Sequence, residues 1–253
     1  MFRVSLKTIT FTYLSLLIAF GIVVNPNGLL IAKIATLFAV QTLLELIIMN
    51  RDRKPFSIPR SGLISAAIVA LILNPNSYWC AYLIAPFLIV GVKRYLHFGK
   101  IRHLANPAGF ALVTFSLYEP NLVSWWGVAN TDLLVPIIIF GLYTVYRLKS
   151  WITVASYALI YASGLVLLNA PLKSALFDPT FLFFASIMLI EPVTSNFPLK
   201  IHRIFYGLLC AVIGLKILVF DQLPIVEKLD PLLGGLVLGG IISGFLLSPK
   251  KPI

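Results

Sequence analysis

Long apolar runs recur along the whole chain, separated by short clusters of Pro, Gly, Asn and charged residues. Divided at those clusters, the runs fall near residues 8–24, 29–50, 61–74, 78–95, 104–118, 132–147, 150–169, 178–191, 202–220 and 231–247. A helix rises about 1.5 Å per residue and a bilayer core is about 30 Å thick, so about 20 apolar residues suffice to cross it. The pattern therefore predicts an all-α membrane protein with about ten transmembrane helices. The first run follows Arg3 and Lys7 and is not followed by a small-x-small cleavage site. It is read as a retained helix and not as a secretory signal.

Composition agrees with lipid as the solvent. Of 253 residues, 59% are hydrophobic and 11% charged, and mean hydropathy is +0.96, against roughly 45–50% apolar and about 25% charged in an average soluble domain. Cys80 and Cys210 are too few for a metal framework, and each is expected as a buried free thiol. The net charge of +11 does not point to nucleic acid, because the basic residues lie in short clusters between the runs.

Those clusters set a topology. With the N-terminus inside, Arg3, Lys7, Arg51, Arg53, Lys54, Arg60, Lys93, Arg94, Lys100, Arg102, Arg147, Lys149, Lys200, Arg203, Lys250 and Lys251 are all cytoplasmic. Only Lys173 and Lys228 are then outside, with Lys33 and Lys216 near run ends. The positive-inside rule predicts both termini on the cytoplasmic side of the cell's inner membrane. Glu119, Asp132, Asp178, Asp221, Glu227 and Asp230 fall outside, and Tyr78, Trp79, Trp125 and Trp126 mark the outer interface, with Trp151 at the inner one.

A weak repeat divides the chain into two five-helix halves, 1–130 and 131–253. Residues 62–75 read GLISAAIVALILNP, and 117 positions later residues 179–192 read PTFLFFASIMLIEP. Five is odd, so the halves are expected to be inverted relative to each other. Fourteen residues give roughly 21 Å of helix, short of the hydrocarbon core, so both helices are expected to stop within the membrane. Paired short, Pro-interrupted segments in inverted halves point to a central binding site. The plainer alternative is that Pro ends a span at the interface.

Two polar stretches stand out on the cytoplasmic side, RYLHFGKIRHLANPAG (94–109) and EPVTSN (191–196). Asn106 suits an N-cap with Pro107 at the first helical position, an arrangement that points backbone N–H groups at an anion or carbonyl oxygen; Gly109 permits close approach. A cap and nothing more is the alternative. His97 and His103 are six apart and do not form a helical metal pair. Glu191, Thr194 and Ser195 share the second stretch. Glu45, with Gln41 one turn before it, is a carboxylate inside an apolar run and a functional candidate, unless it reaches toward Arg51 or Arg53. There is no Ser-His-Asp set, P-loop, dinucleotide glycine fingerprint or CxxC pair, so hydrolysis, nucleotide binding and iron–sulfur chemistry are unsupported.

The stretch from the second run through Arg60-Ser-Gly-Leu-Ile-Ser, then Lys93-Arg-Tyr and Ala105-Asn-Pro-Ala-Gly-Phe, resembles the NqrB/RnfD family. These are membrane flavin subunits of the sodium-pumping NADH:quinone reductase and of Rnf electron-transport complexes. Leu189-Ile-Glu-Pro-Val-Thr-Ser and Phe205-Tyr-Gly continue the resemblance, which covers roughly residues 30–247 in order. It implies ten helices in two inverted five-helix repeats, a fold like that of urea transporters. It also implies a flavin, FMN or riboflavin, near Asn106, Pro107, Gly109, His103, Thr194 and Ser195, with Glu191 and Glu45 as the acidic residues of the site. The family's Asp is Glu191 here. The family's covalent FMN attachment needs a Ser-x-Ala-Thr type motif, and EPNLVSWWGVANTD (119–132) has none, Thr131 being at best a remnant. The flavin is therefore expected to be non-covalent.

The function expected on this resemblance is a membrane subunit that relays electrons from a cytoplasmic flavoprotein or ferredoxin-type reductase to a quinone or other membrane acceptor, with ion transport as a possible coupled process. An inverted-repeat fold equally suits a channel or transporter for a small solute or ion, which is the alternative. The topology makes its own prediction: reporter fusions at Arg53, Lys100, Lys149 and Lys250 report cytoplasm, and fusions at Asn76, Asn121 and Glu227 report the outside. Two adjacent sites out of this pattern would break the ten-span reading.

Overall fold

The computed structural model describes residues 5–53, 55–98, 102–195, 197–220, 222–224 and 226–247, with backbone alone at 97, 98, 102, 103, 173 and 174. Arg3, Lys54, Lys100, Asn196, Asp221, Lys250 and Lys251 lie outside the described residues. The helices are α1 (Leu6–Val24), α2 (Gly28–Arg51), α3 (Arg60–Ile72), α4 (Trp79–Tyr95), α5 (Pro107–Tyr118), α6 (Leu134–Leu148) and α7 (Trp151–Leu167). They continue as α8 (Leu172–Leu176), α9 (Pro179–Phe183) running into a π turn at Phe184–Met188, α10 (Pro192–Ser195), α11 (Lys200–Val219) and α12 (Pro231–Leu247). A two-residue antiparallel pair, β1 (His97–Phe98) with β2 (Arg102–His103), follows α4 and sets His97 opposite His103.

Each of the ten apolar runs contains a helix, but length separates them. Among the described residues, α1, α2, Thr131–Leu148 and α11 are long and apolar enough to cross a membrane. The apolar helices α3, α5, α7, α9 with its π turn, and α12 are shorter. Apart from the β1–β2 pair, the regular structure of the described residues is thus helical with four candidate spans, a coarser result than ten.

Several helix starts carry side-chain caps, since the first turn leaves N–H groups without intrahelical partners. Ser5 Oγ accepts from Thr8 N (3.2 Å), Asn27 Oδ1 from Leu29 N (3.0 Å), Asp178 Oδ1 from Thr180 N (2.6 Å) and Asp230 Oδ1 from Leu232 N (2.9 Å). Pro179 and Pro231 follow their caps, where a missing N–H costs nothing.

Packing within residues 1–130 and within residues 131–253, the two halves, is parallel in part, although the packing of α3 on α4 and α5 has no such counterpart for α9 among the described residues. In the first, α1 packs on α3, α2 on α3 and α4, and α4 on α5; in the second, α6 packs on α9 and its π turn, α7 on the π turn and α11, and α11 on α12. The halves meet where α5 packs on α12 and where the Tyr13 ring of α1 stacks on Phe140 of α6, centroids 3.8 Å apart. Opposite ends collect different chemistry. One end holds the Arg94–Asp52 ion pair (3.0 Å), Arg203 bonded to the Lys149 carbonyl, and Glu191. The other holds Asn74 bonded to Asn121, Lys33 bonded to the Pro75 and Ser77 carbonyls, and Trp125 bonded to Asp230.

Large apolar side chains cover the periphery, among them Val23, Ile139 and Leu159 at 77%, 65% and 67% exposure. A surface of this kind is compatible with a bilayer and is far beyond what water tolerates. Cys210 is buried as expected, but Cys80 is exposed, because it stands in the first turn of α4 at the rim of the fold.

Two glycines let α12 lie directly on α11. A Cβ on Gly235 would sit 2.6 Å from the Cys210 carbonyl oxygen, and one on Gly239 would sit 2.5 Å from Cys210 Sγ. Small residues of this kind are what permit close helix packing in lipid. Gly235→Val is expected to cost about 1–3 kcal/mol by overpacking, read as a lowered thermal midpoint in detergent. Gly91→Ala, where a Cβ meets nothing within 4 Å, is expected to leave that midpoint no lower, alanine being the better helix former, and equal losses would contradict the packing described.

Candidate functional site

The two short helices of the sequence repeat both end in broken backbone. After α3 the chain leaves helical geometry at Leu73, which bridges to Val123, while Asn74 N donates to Leu122 O (2.8 Å). After α9 the π turn closes with Leu189 N donating to Phe184 O (2.9 Å), and the chain then breaks at Ile190 and Glu191 before the single turn of α10. A π turn widens the helix by one residue and often marks a functional position.

The carbonyl that this break exposes is Met188, and it is met from the first half. Asn106 caps α5 through Oδ1, which accepts from Gly109 N (2.9 Å), and its Nδ2 donates to Met188 O (3.1 Å). Asn106 is buried at 3% exposure. A buried carbonyl without a donor is costly, so this one carboxamide both starts α5 and closes the break in the other half.

Beside it lies a cavity of about 350 Å³ between the halves. Its polar lining comes from Lys7 and Thr10 of α1, Ser61 and Ser65 of α3, Asn106, Thr144 of α6, and Glu191. Ile64, Ile68, Leu148, Ile187, Ile190 and Val193 make the rest apolar. The size and the apolar walls with a few convergent polar groups are those of a small-molecule site.

Glu191 and Asn106 are the two predicted residues that the structure brings together in the cavity wall. Thr194 and Ser195 do not line it: Thr194 Oγ1 donates to Glu191 Oε2 (3.2 Å) and Ser195 Oγ to the Glu191 carbonyl (2.8 Å), because one turn of α10 folds both hydroxyls back onto its own start. Pro107 is buried at the first turn of α5. Gly109 faces Leu236 and Val237 of α12, so its missing Cβ serves helix packing and not ligand approach. The side chain of His103 lies outside the described residues.

Glu45 stands behind the cavity wall and does not reach toward Arg51 or Arg53. Its Oε1 pairs with Lys93 Nζ on α4 (3.4 Å) and accepts from Gln41 Nε2 (3.3 Å). A Cβ on Gly62 would collide with Glu45 Oε1, so the glycine at the start of α3 makes the room this carboxylate occupies. Lys93 also donates to Ser61 Oγ (3.3 Å), which lines the cavity. Sequence reasoning placed Lys93 in an inner basic cluster and missed the pairing. The available signal was that the last turn of α4 and the last turns of α2 share one depth. Ser61, Ser65, Thr10 and Thr144 were also missed, since single hydroxyls in apolar runs carry no pattern.

No family model matches the chain, and no curated protein does. Among the described residues no group of His, Cys, Asp and Glu is placed to hold a metal ion.

The double role of Asn106 separates by substitution. Asn106→Leu strips the Gly109 N–H of its partner and leaves the Met188 carbonyl with only the long Glu191 N–H contact (3.4 Å), and is expected to cost about 2–6 kcal/mol, at about 1–3 kcal/mol per buried group. Asn106→Ser keeps a capping oxygen but cannot span to Met188, so about half of that loss is expected in detergent unfolding. A serine variant as stable as wild type would show that the Met188 bond contributes nothing.

Proposed function

We propose that the chain is a membrane-embedded redox subunit of NqrB/RnfD-like character, holding a non-covalent flavin in the cavity between two inverted five-helix halves. The observation that carries the reading is the cavity itself, an apolar slot with Asn106 and Glu191 at one edge. An isoalloxazine ring is flat and largely apolar with donors and acceptors along its rim, so it suits such a slot, and the protein supplies orientation and local charge to a cofactor that carries the electrons. Asn106 has one N–H and one lone pair beyond its two structural bonds, and Ser61 and Thr144 retain acceptor capacity.

The inverted ten-helix arrangement belongs to the same proposal. In its favour stand the partly parallel helix contacts of the two halves and the breaks after α3 and α9, which lie at opposite ends of the molecule. The charge pattern then puts the cavity and both termini on the cytoplasmic side of the inner membrane. Arg51, Arg53 and Arg60 near the cavity end offer an acidic flavoprotein or ferredoxin-type reductase a docking face. A quinone or another membrane-dissolved acceptor would take the electrons on, with no part for nucleic acid.

One observation favours the second reading, transport of a small solute. A cavity of about 550 Å³ lies at the other end, lined by Asn25, Asn27, Asn74, Asn76, Ser124 and Trp126; it borders the chain that follows α1 and α3, whereas the first cavity borders the opening turns of the same two helices.

The purified protein is expected to show flavin absorption bands, to release FMN or riboflavin on denaturation, and to give no fluorescent band after denaturing electrophoresis. Ile68→Trp, which fills the cavity from α3, is expected to reduce flavin content at least tenfold in folded protein. A colourless wild-type protein that moves solute across vesicles would overturn the redox reading and support the transporter.

A further inference from the structure

A half-buried ammonium and carboxylate, Lys93 and Glu45, stand behind the cavity wall that carries Glu191. Lys93 Nζ lies 3.4 Å from Glu45 Oε1 and 3.3 Å from Ser61 Oγ, with the two charged side chains 13% and 20% exposed. Ser61, which Lys93 bonds, lines one cavity with Glu191 and with Lys7 at the start of α1, so the ammonium stands one side chain behind the wall that holds both. Glu45 has two donors of its own, Lys93 and Gln41. Glu191 accepts from the Thr194 hydroxyl, and its accessible part faces the cavity.

Charge away from water is tolerated only where it is compensated. One ammonium offsets one carboxylate, and here the direct ion pair goes to Glu45. Glu191 is thereby left as the carboxylate whose charge depends on a shared partner at longer range. The other charged groups on the elements packed around it are cations. Arg203 of α11 is bonded to the Phe197 and Lys149 carbonyls, Lys7 is exposed, and β2, which packs on α10, carries Arg102 and His103 with side chains outside the described residues.

We infer that Glu191 is the proton-exchanging group of the cavity and that Lys93, divided between Glu45 and Glu191, is the positioning residue that sets its ionisation. A proton bound at Glu191 leaves Lys93 wholly to Glu45, and a proton lost from Glu191 draws the ammonium toward the cavity. The α2–α4 pair and the charge at the cavity edge are thus one system. The ligand class this favours is a neutral, flat molecule whose rim gives or takes a proton at a ring nitrogen or carbonyl oxygen. In that respect alone the inference rests on the redox reading; the charge coupling stands without any ligand.

Carbodiimide labelling of ligand-free protein tests the coupling directly. Dicyclohexylcarbodiimide reacts with the acid form: the carboxyl proton passes to a carbodiimide nitrogen, the carboxyl oxygen bonds to the central carbon, and the adduct rearranges to a stable N-acylurea that mass spectrometry locates at Glu191. Lys93→Gln removes the shared cation, so the labelling midpoint of Glu191 is expected to move to higher pH. At any pH above the midpoint the labelling rate then rises about tenfold for each pH unit that the midpoint moves. Glu45→Gln releases Lys93 to Glu191, and the midpoint is expected to move to lower pH. Lys93→Arg keeps the charge and is expected to keep the wild-type profile, and the Lys93→Gln, Glu45→Gln double variant is expected to fall between the single ones. If Lys93→Gln does not fold, the opposite movement in Glu45→Gln still decides the matter. Coincident profiles, or midpoints that move in the same direction for both single variants, would overturn the inference, whereas absence of flavin from the purified protein would leave these profiles untouched and count only against the redox reading.

Discussion

The hydrogen bond from Asn106 Nδ2 to the Met188 carbonyl holds the rest of the site in place. A helix that stops inside apolar surroundings leaves carbonyls with no water to meet them, so a break of this kind survives only where the protein supplies donors. At the Glu191 end the closer of two donors is the same carboxamide that caps α5, the other being Glu191 N at 3.4 Å. Because one residue serves both halves, their separation at this point is fixed, and the gap beside it becomes the cavity. At the other end the equivalent problem is solved differently, by Lys33 donating to the Pro75 and Ser77 carbonyls and by Leu73 bridging Val123.

Charge is handled by the same economy. Among the described residues the acidic side chains near the cavity are Glu191 in its wall and Glu45 behind it, and Lys93 joins Glu45 to Ser61 of that wall. Gly62 is the structural condition for this, since any larger residue there would push Glu45 away from Gln41 and Lys93. The cavity therefore combines apolar walls, a fixed carboxamide and one carboxylate whose compensation is shared. That combination suits a ligand which is itself neutral and changes its protonation at one edge, and the proposed function builds on this chemistry.

The helices were legible in the chain because long apolar runs declare themselves by length and apolarity, and because caps are local. Asn106-Pro107, Asp178-Pro179 and Asp230-Pro231 each mark a helix start within two residues. The weak likeness between 62–75 and 179–192 located both breaks. The pairing of Glu45 with Lys93 was not legible, since the partners are 48 residues apart and only the packing of α2 on α4 joins them. The inward turn of Thr194 and Ser195 was missed for a different reason: a donor within one turn of a free carbonyl satisfies that carbonyl before any ligand. The π turn left no periodic signal at all, and its presence shows only in where Leu189 finds its acceptor.

If the two halves enclose one cavity at the Asn106–Met188 contact, side chains on either side of it must lie within reach of each other, and cross-linking measures that proximity. In a chain with Cys80 and Cys210 replaced by Ala, cysteines at Ser61 of α3 and Val193 of α10 look onto the same cavity from different halves. A short bifunctional thiol reagent is expected to join them in membranes, and reagent applied from the inner face alone is expected to suffice. Failure of that pair to cross-link, while a control pair at Asn76 and Ser124 around the opposite cavity does so, would contradict a shared cavity between the halves.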